Sequence, residues 1–395
     1  MNTHSVSSIF FNTILLIQLC SYEANASFVN DSTSRVKRNK FIALDYQAGR
    51  VLPSNDFVRG ENQTGEPIDY FEASRLEFGW QTMGIKLWEQ YYNLPYFGIG
   101  IYGVDFFDDN ELGTPSAIYG YWGGPIKRWG RLSINYQMGF GLTYNWKHYD
   151  QEINPLNIAI GANKTVYIDI GTTFNYYLSN RFDIGFGFSA SHFSNGATTL
   201  PNFGLNLAAA RIFAKYQFNK ERPEIKKWDI PEYLKETEFY TFVAVGSKQA
   251  EFDTTNTELT DKYQDVNFFA LTISTALQRQ VSYKFKFGGG LDISYDGSTG
   301  AQMVILNPQT NKVDAPFGDK IGIGVFVSGE WVFGNLSVIG QPGYYLKKTY
   351  GDKFYQRLGI KYHFGKYIFA GINIRATQFA KADLIEWNLG YHVKW

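Results

Sequence analysis

The chain has 395 residues, and its 37 Lys and Arg balance 37 Asp and Glu to a formal net charge of zero. That balance gives no reason to expect a nucleic-acid partner, which would need a basic stripe. With 18% aromatic residues, 39 glycines and, past the N-terminus, no apolar run long enough for a membrane helix, the composition suits a transmembrane β-barrel, in which only alternate residues meet lipid.

The N-terminus reads as an export signal. "IFFNTILLIQLC" supplies an apolar core, and "ANAS" offers a small-residue cleavage site after Ala26, so residues 1–26 are expected to be a signal peptide. Cys20 is the only cysteine. It leaves with the signal, and no internal disulfide can form.

From about residue 40 the chain breaks into segments of roughly ten to fifteen residues with a period of two, the strand period. In "RLSINYQMGFGLTYNW", Leu132, Ile134, Tyr136, Met138, Phe140, Leu142, Tyr144 and Trp146 share one face. Ser133, Asn135, Gln137, Gly139, Gly141, Thr143 and Asn145 share the other. These segments exceed the usual soluble strand of about five to six residues and reach the ~9–11 needed to cross a bilayer at a tilt. Connections alternate long and short, as outer loops and periplasmic turns do. "MGIKLWEQYYNLP" breaks that alternation and is expected to carry a small extra element.

About eight strands fill residues 40–218. The charged, proline-containing "NKERPEIKKWDIPEYLKETE" then reads as a linker over 219–238. About eight more strands are expected in 239–395, near 239–248, 263–277, 281–296, 319–332, 335–348, 353–364, 366–378 and 383–395. The fold class is therefore all-β: an antiparallel transmembrane β-barrel protein with two consecutive repeats of about eight strands. The long linker favours two eight-stranded barrels; one wide barrel of about sixteen strands is the alternative. Arg75, Glu77, Gln81, Arg357, Lys361 and His363 fall on the inward parity, either as a packed polar interior or as a pore lining. The terminal segment "LIEWNLGYHVKW" alternates Ile385, Trp387, Leu389, Tyr391, Val393 and Trp395 to the last residue. It looks like the C-terminal aromatic signal read by the outer-membrane assembly machinery, which places the protein in a bacterial outer membrane.

One segment departs from the pattern. In "FDIGFGFSASHFSN", the parity of Phe182, Ile184, Phe186 and Phe188 also carries His192 and Ser194. Polar groups facing hydrocarbon are costly. At the outer end of the strand they stand level with the outer leaflet, where the cost falls. The next strand puts Asn206, Ala208, Ala210, Ile212, Ala214, Tyr216 and Phe218 outward beside them. A serine next to a histidine base is the equipment of ester hydrolysis. The bland reading of the same pair is two polar residues at the rim of a structural barrel.

The segment is similar to the lipid A 3-O-deacylase (PagL) family of eight-stranded outer-membrane hydrolases, on His192, Ser194 and Asn195 in H-F-S-N and on Asn202 in P-N-F-G. The resemblance spans roughly residues 41–218 and is specific around 182–218. It implies that Ser194 is the nucleophile and His192 its general base. It further implies that backbone N–H groups near Asn195 and Gly196 stabilise the oxyanion, with Asn202 shaping the loop. The family's glutamate falls on Asn206, which can hold the imidazole tautomer but cannot stabilise imidazolium as a carboxylate does. The implied activity is removal of an ester-linked hydroxyacyl chain from lipid A, with lipopolysaccharide of the outer leaflet as partner and no cofactor.

A porin-like or structural barrel without enzymatic activity is the rival reading; a phospholipase or acyltransferase is a third. A homo-oligomer is left open. The second half has no H-x-S. His363, His392 and Glu386 read as inward polar residues there and Asp383 as a loop residue, and no metal-ligand cluster is visible.

Overall fold

A computed structural model describes residues 39–220, 222, 229–250, 263, 266–306, 315–377 and 381–395. The expected signal peptide, Cys20 and part of the linker lie outside these residues. The first eight strands are β1 (Asn39–Val51), β2 (Tyr70–Gln81), β3 (Tyr96–Asp105), β4 (Ser116–Trp129), β5 (Leu132–Tyr144), β6 (Val166–Tyr177), β7 (Phe182–Ser194) and β8 (Leu205–Gln217). The second eight are β9 (Glu236–Gln249), β10 (Asn267–Gln280), β11 (Phe285–Asp296), β12 (Ile321–Phe333), β13 (Leu336–Lys347), β14 (Phe354–Phe364), β15 (Ile368–Thr377) and β16 (Lys381–Lys394). Among the described residues, two short α-helices, α1 (Leu87–Tyr91) and α2 (Thr299–Leu306), lie in connections, and no helix is long and apolar enough to cross a membrane.

Within each set of eight, every strand pairs antiparallel with its neighbours in sequence, and each set closes on itself. β1 closes on β8 with Phe41 opposite Gln217, and β16 closes on β9 with Trp387 opposite Val245. The chain therefore forms two eight-stranded barrels and not one wide cylinder. The alternation read from the sequence is the alternation of burial. On β7, Phe188 is 59% exposed while the next residue, Ser189, is 8% exposed. Large apolar side chains such as Leu44, Ile101, Ile118 and Ile212 stand exposed around the first barrel. A surface of that kind is stable only against lipid.

The lumens are filled. An eight-stranded barrel has an interior just wide enough for side chains to pack. In the first barrel, Arg75 makes a two-pronged pair with Asp169 at 2.8 and 2.7 Å, and Arg211 Nε donates to Asp45 at 2.7 Å. Glu77 accepts from Tyr119 at 2.7 Å and from Gln137 at 2.6 Å. Gly100 permits this packing, since a Cβ there would lie 2.4 Å from the Tyr119 ring. The second barrel repeats the solution with Arg357 between Glu386 (2.6 Å) and Asp292 (3.0 Å), and with Lys286 and Lys361 around Glu330. Of the inward residues expected from parity, Arg75, Glu77, Arg357, Lys361 and His363 are buried and Gln81 is half-buried.

Strand ends shift by a few residues from the sequence reading, and two charged residues fall differently from it. β9 begins at Glu236, so the last residues of the expected linker are strand. Glu238 is fully buried there, 2.5 Å from Lys286, and an ion pair inside the lumen explains why a charged residue belongs to the barrel. Asp383, expected in a loop, lies in β16, held by Lys248 at 2.5 Å and Arg375 at 3.2 Å.

The barrels touch through aromatic side chains at the end that carries the β2–β3 connection. α1, the extra element in the long β2–β3 connection, leads to Tyr92, whose hydroxyl donates to the Val332 carbonyl at 2.6 Å. The Tyr92 ring lies 4.9 Å from that of Phe333, and Trp122 of β4 lies 4.2 Å from Phe333 and 5.8 Å, edge-on, from Trp331 of β12. Tyr91 stacks on Tyr283 at 5.1 Å. Such pairs contribute about 0.5–1.5 kcal/mol each beyond the apolar area they bury.

Candidate active site

β7 and β8 are in register with Phe182 opposite Tyr216, which brings His192 directly opposite Asn206. On the other side of β7, Val166 faces Ser194 and Ile168 faces His192. Parity thus turns the imidazole and the hydroxyl out of the lumen, at the end of β7 where the strand runs into the loop 195–204. Ser191, one residue away, points inward and donates to Asp169 at 2.8 Å.

Asn206 Oδ1 lies 2.7 Å from His192 Nδ1. An amide oxygen only accepts, so this contact puts the ring proton on Nδ1 and leaves Nε2 with its lone pair. Gly204 closes over the imidazole: it has a φ of +73°, and a Cβ there would lie 3.0 Å from His192 Cε1.

Ser194 is buried at 7% exposure, and its Oγ receives two hydrogen bonds. Asn202 Nδ2 donates to it at 2.8 Å and the Gly196 N–H at 3.1 Å. The other end of the Asn202 amide accepts the Asn195 N–H at 3.0 Å. The two backbone donors after the serine therefore have different tasks. Gly196 points at the serine, while the Asn195 N–H is spent on fixing Asn202. Among the described residues no hydrogen bond joins His192 to Ser194, and the serine hydroxyl has no acceptor for its own hydrogen.

The loop is braced from outside the motif. The Phe203 N–H donates to Ile158 O at 3.1 Å and the Gly204 N–H to Ala159 O at 2.9 Å, so the long β5–β6 connection pins it. Asn55 Nδ2 reaches Gly204 O at 2.9 Å from the β1–β2 connection. Sequence reasoning missed these supports, because no local pattern links residues so far apart in the chain.

A second cluster also escaped sequence reading. Glu238, His363 and His392, on β9, β14 and β16, bring their ligand-type atoms within 4.8 Å of one another inside the second barrel. His363 Nδ1 is 3.0 Å from His392 Nε2, and His392 Nδ1 is 3.0 Å from Glu238. Lys286 touches both Glu238 (2.5 Å) and Glu330 (2.9 Å), and Lys361 lies 2.6 Å from Glu330. Two ammonium groups against two carboxylates balance the charge without a cation, so the cluster is accounted for as barrel filling.

Residues 236–395 match the family model described as acyloxyacyl hydrolase, C-terminal domain (PagL_C). Over those residues the chain is PagL-like. The match opens on the first residue of β9 and ends on the last residue of the chain, so the matched domain is the second barrel. The first barrel, which carries His192 and Ser194, lies outside the matched residues.

A comparison with curated proteins finds no match. Among solved structures, the outer membrane enzyme PagL is 14% identical with a TM-score of 0.29, covering 43% of this chain and 97% of its own. Neisserial surface protein A (NspA) is 8% identical with a TM-score of 0.32, covering 45% of this chain and 97% of its own. OccAB1 of Acinetobacter baumannii is 9% identical with a TM-score of 0.24, covering 91% and 97%. At these identities and TM-scores the likenesses carry no functional weight.

Proposed function

We propose that the protein is an outer-membrane serine esterase that removes an ester-linked hydroxyacyl chain from lipid A in the outer leaflet. The observation that carries this reading is the convergence of the Asn202 and Gly196 donors on Ser194 Oγ, beside an imidazole whose Nδ1 is already engaged by Asn206. The match to the acyloxyacyl hydrolase domain supports the reaction class.

The chemistry follows from the donor set. Ser194 Oγ attacks the ester carbonyl carbon, and its proton passes to His192 Nε2. Negative charge gathers on the former carbonyl oxygen, where the Gly196 N–H and the Asn202 amide can follow it. One such donor is worth about 10²–10³ in rate. Collapse expels the sugar alkoxide, which takes the proton from His192. Water, deprotonated by the same imidazole, then hydrolyses the acyl-serine and releases the hydroxy acid. A general base of this kind contributes about 10²–10⁴. No step needs a cofactor. The substrate reaches the outward-facing pair by lateral diffusion in the leaflet.

The test is mass spectrometry of lipid A from cells making the wild type, Ser194→Ala or His192→Ala, with insertion of each protein checked. Loss of one hydroxyacyl chain is expected with the wild type only. Identical lipid A in all three strains would remove the reading.

A further inference from the structure

Among the described residues the second barrel has no serine–histidine pair, yet it reaches the loop that serves Ser194. Two contacts cross from it. Gln249, the last residue of β9 and 3% exposed, accepts the Leu200 N–H on its Oε1 at 2.9 Å. Ile385 of β16 packs on Gly196 so closely that a Cβ there would lie 2.5 Å from Ile385 Cδ1 and Cγ1.

These contacts fall on the two ends of one chain of hydrogen bonds. Leu200 is fixed by Gln249. Its neighbour Thr199 offers its carbonyl to Asn195 Nδ2 at 2.7 Å. The Asn195 N–H is held by Asn202 Oδ1, and Asn202 Nδ2 reaches Ser194. At the other end, Gly196 and Ala197 sit in the left-handed region, with φ of +68° and +60°. Ala197 is a β-carbon residue in a strained conformation that persists only where surroundings enforce it. Ile385 lies against the residue that precedes it. The Gly196 N–H is the one aimed at Ser194 Oγ.

We infer that Gln249 and Ile385 are positioning residues for the oxyanion loop, so that the catalytic machinery is completed by the second barrel in cis. This rests on the reading of Ser194 as nucleophile. Neither residue touches the reacting atoms. Each acts through the loop 195–200: Gln249 through a hydrogen bond at its far end and Ile385 through contact with Gly196. Donors within a few tenths of an ångström of their place stabilise a transition state, whereas loose ones do not. The effect belongs to kcat and leaves KM nearly unchanged.

The experiment uses the full chain in detergent micelles, with p-nitrophenyl esters as substrate and hydrogen–deuterium exchange at the 195–200 amides as a second readout. Gln249→Met keeps the side-chain size and removes the acceptor; Gln249→Glu keeps an acceptor oxygen. Ile385→Ala removes the packing, and Ile385→Val retains most of it. Gln249→Met and Ile385→Ala are expected to lower kcat about tenfold with KM within about twofold, and to speed exchange in the loop. Gln249→Glu and Ile385→Val are expected to recover most of both.

Unchanged kcat and unchanged loop protection in Gln249→Met and Ile385→Ala would overturn the inference. If wild type cleaves no ester, the esterase reading fails on its own, and the exchange data still decide whether the second barrel holds the loop. Normal protection in both variants would then end the inference as well.

Discussion

Asn206 stands across the β7–β8 ladder from His192, with its Oδ1 2.7 Å from Nδ1. The contact supplies the tautomer that a base needs and withholds the negative charge that would stabilise the imidazolium. In serine proteases the change from Asp to Asn at the comparable position lowers kcat by about 10⁴, largely through the wrong tautomer. Here the amide oxygen already faces the ring, so only the electrostatic part of that loss applies.

Asn206→Asp is therefore expected to raise kcat by about tenfold or more, and Asn206→Leu to lower it by about 10²–10⁴. Steady-state hydrolysis by purified protein in micelles measures both. Equal rates for all three side chains would show that His192 is not the base.

Gly196→Ala tests the loop from the other side. The alanine would need a left-handed φ and would meet Ile385, moving the N–H that points at Ser194. Together with Asn202→Ala, which removes the second donor, it is expected to cost about 10²–10³ in kcat for each substitution. Fluorophosphonate labelling of Ser194 would slow in parallel. Full labelling rates in both variants would mean the oxyanion is held elsewhere.

Arg75 and Asp169 form a fully buried pair inside the first barrel. Arg75→Ala leaves a carboxylate without its counter-charge, and removing one partner of a buried pair typically costs about 3–5 kcal/mol. Denaturant unfolding from detergent should shift accordingly. An Arg75→Met, Asp169→Leu double variant should recover most of the loss. A single variant as stable as wild type would show that water enters the lumen.

The same filling predicts ion-tight barrels. In planar bilayers the wild type is expected to give no steady single-channel current, because Arg75, Asp169, Arg211 and Asp45 occupy the first lumen and Arg357, Glu386, Asp292 and Glu330 the second. Stable conductance steps would favour a channel.

Strand parity was legible because it is local. The alternation that put Phe188 outward and Ser189 inward is visible in the residues themselves, and it put His192 and Ser194 on the outward parity of β7. Parity also showed Arg75 and Arg357 as inward, but their partners, such as Asp169, lie across the lumen, and no spacing rule connects them. Glu238 and Asp383 were read as linker and loop because a charge near a strand end looks solvated until its counter-charge is known. Trp122 and Trp331 looked like any interfacial aromatics; that they meet each other depends on which sides of two closed cylinders face, which alternation does not encode. For the same reason Gln249 and Ile385 carried no signal of their neighbours in the loop 195–200.

The backbone joins β8 to β9, so both cylinders travel as one covalent body. Two separate proteins that had to meet in the leaflet would lose their partnership on dilution, whereas a tethered pair keeps a high effective concentration whatever the expression level. Turnover per molecule should therefore be independent of how crowded the membrane is.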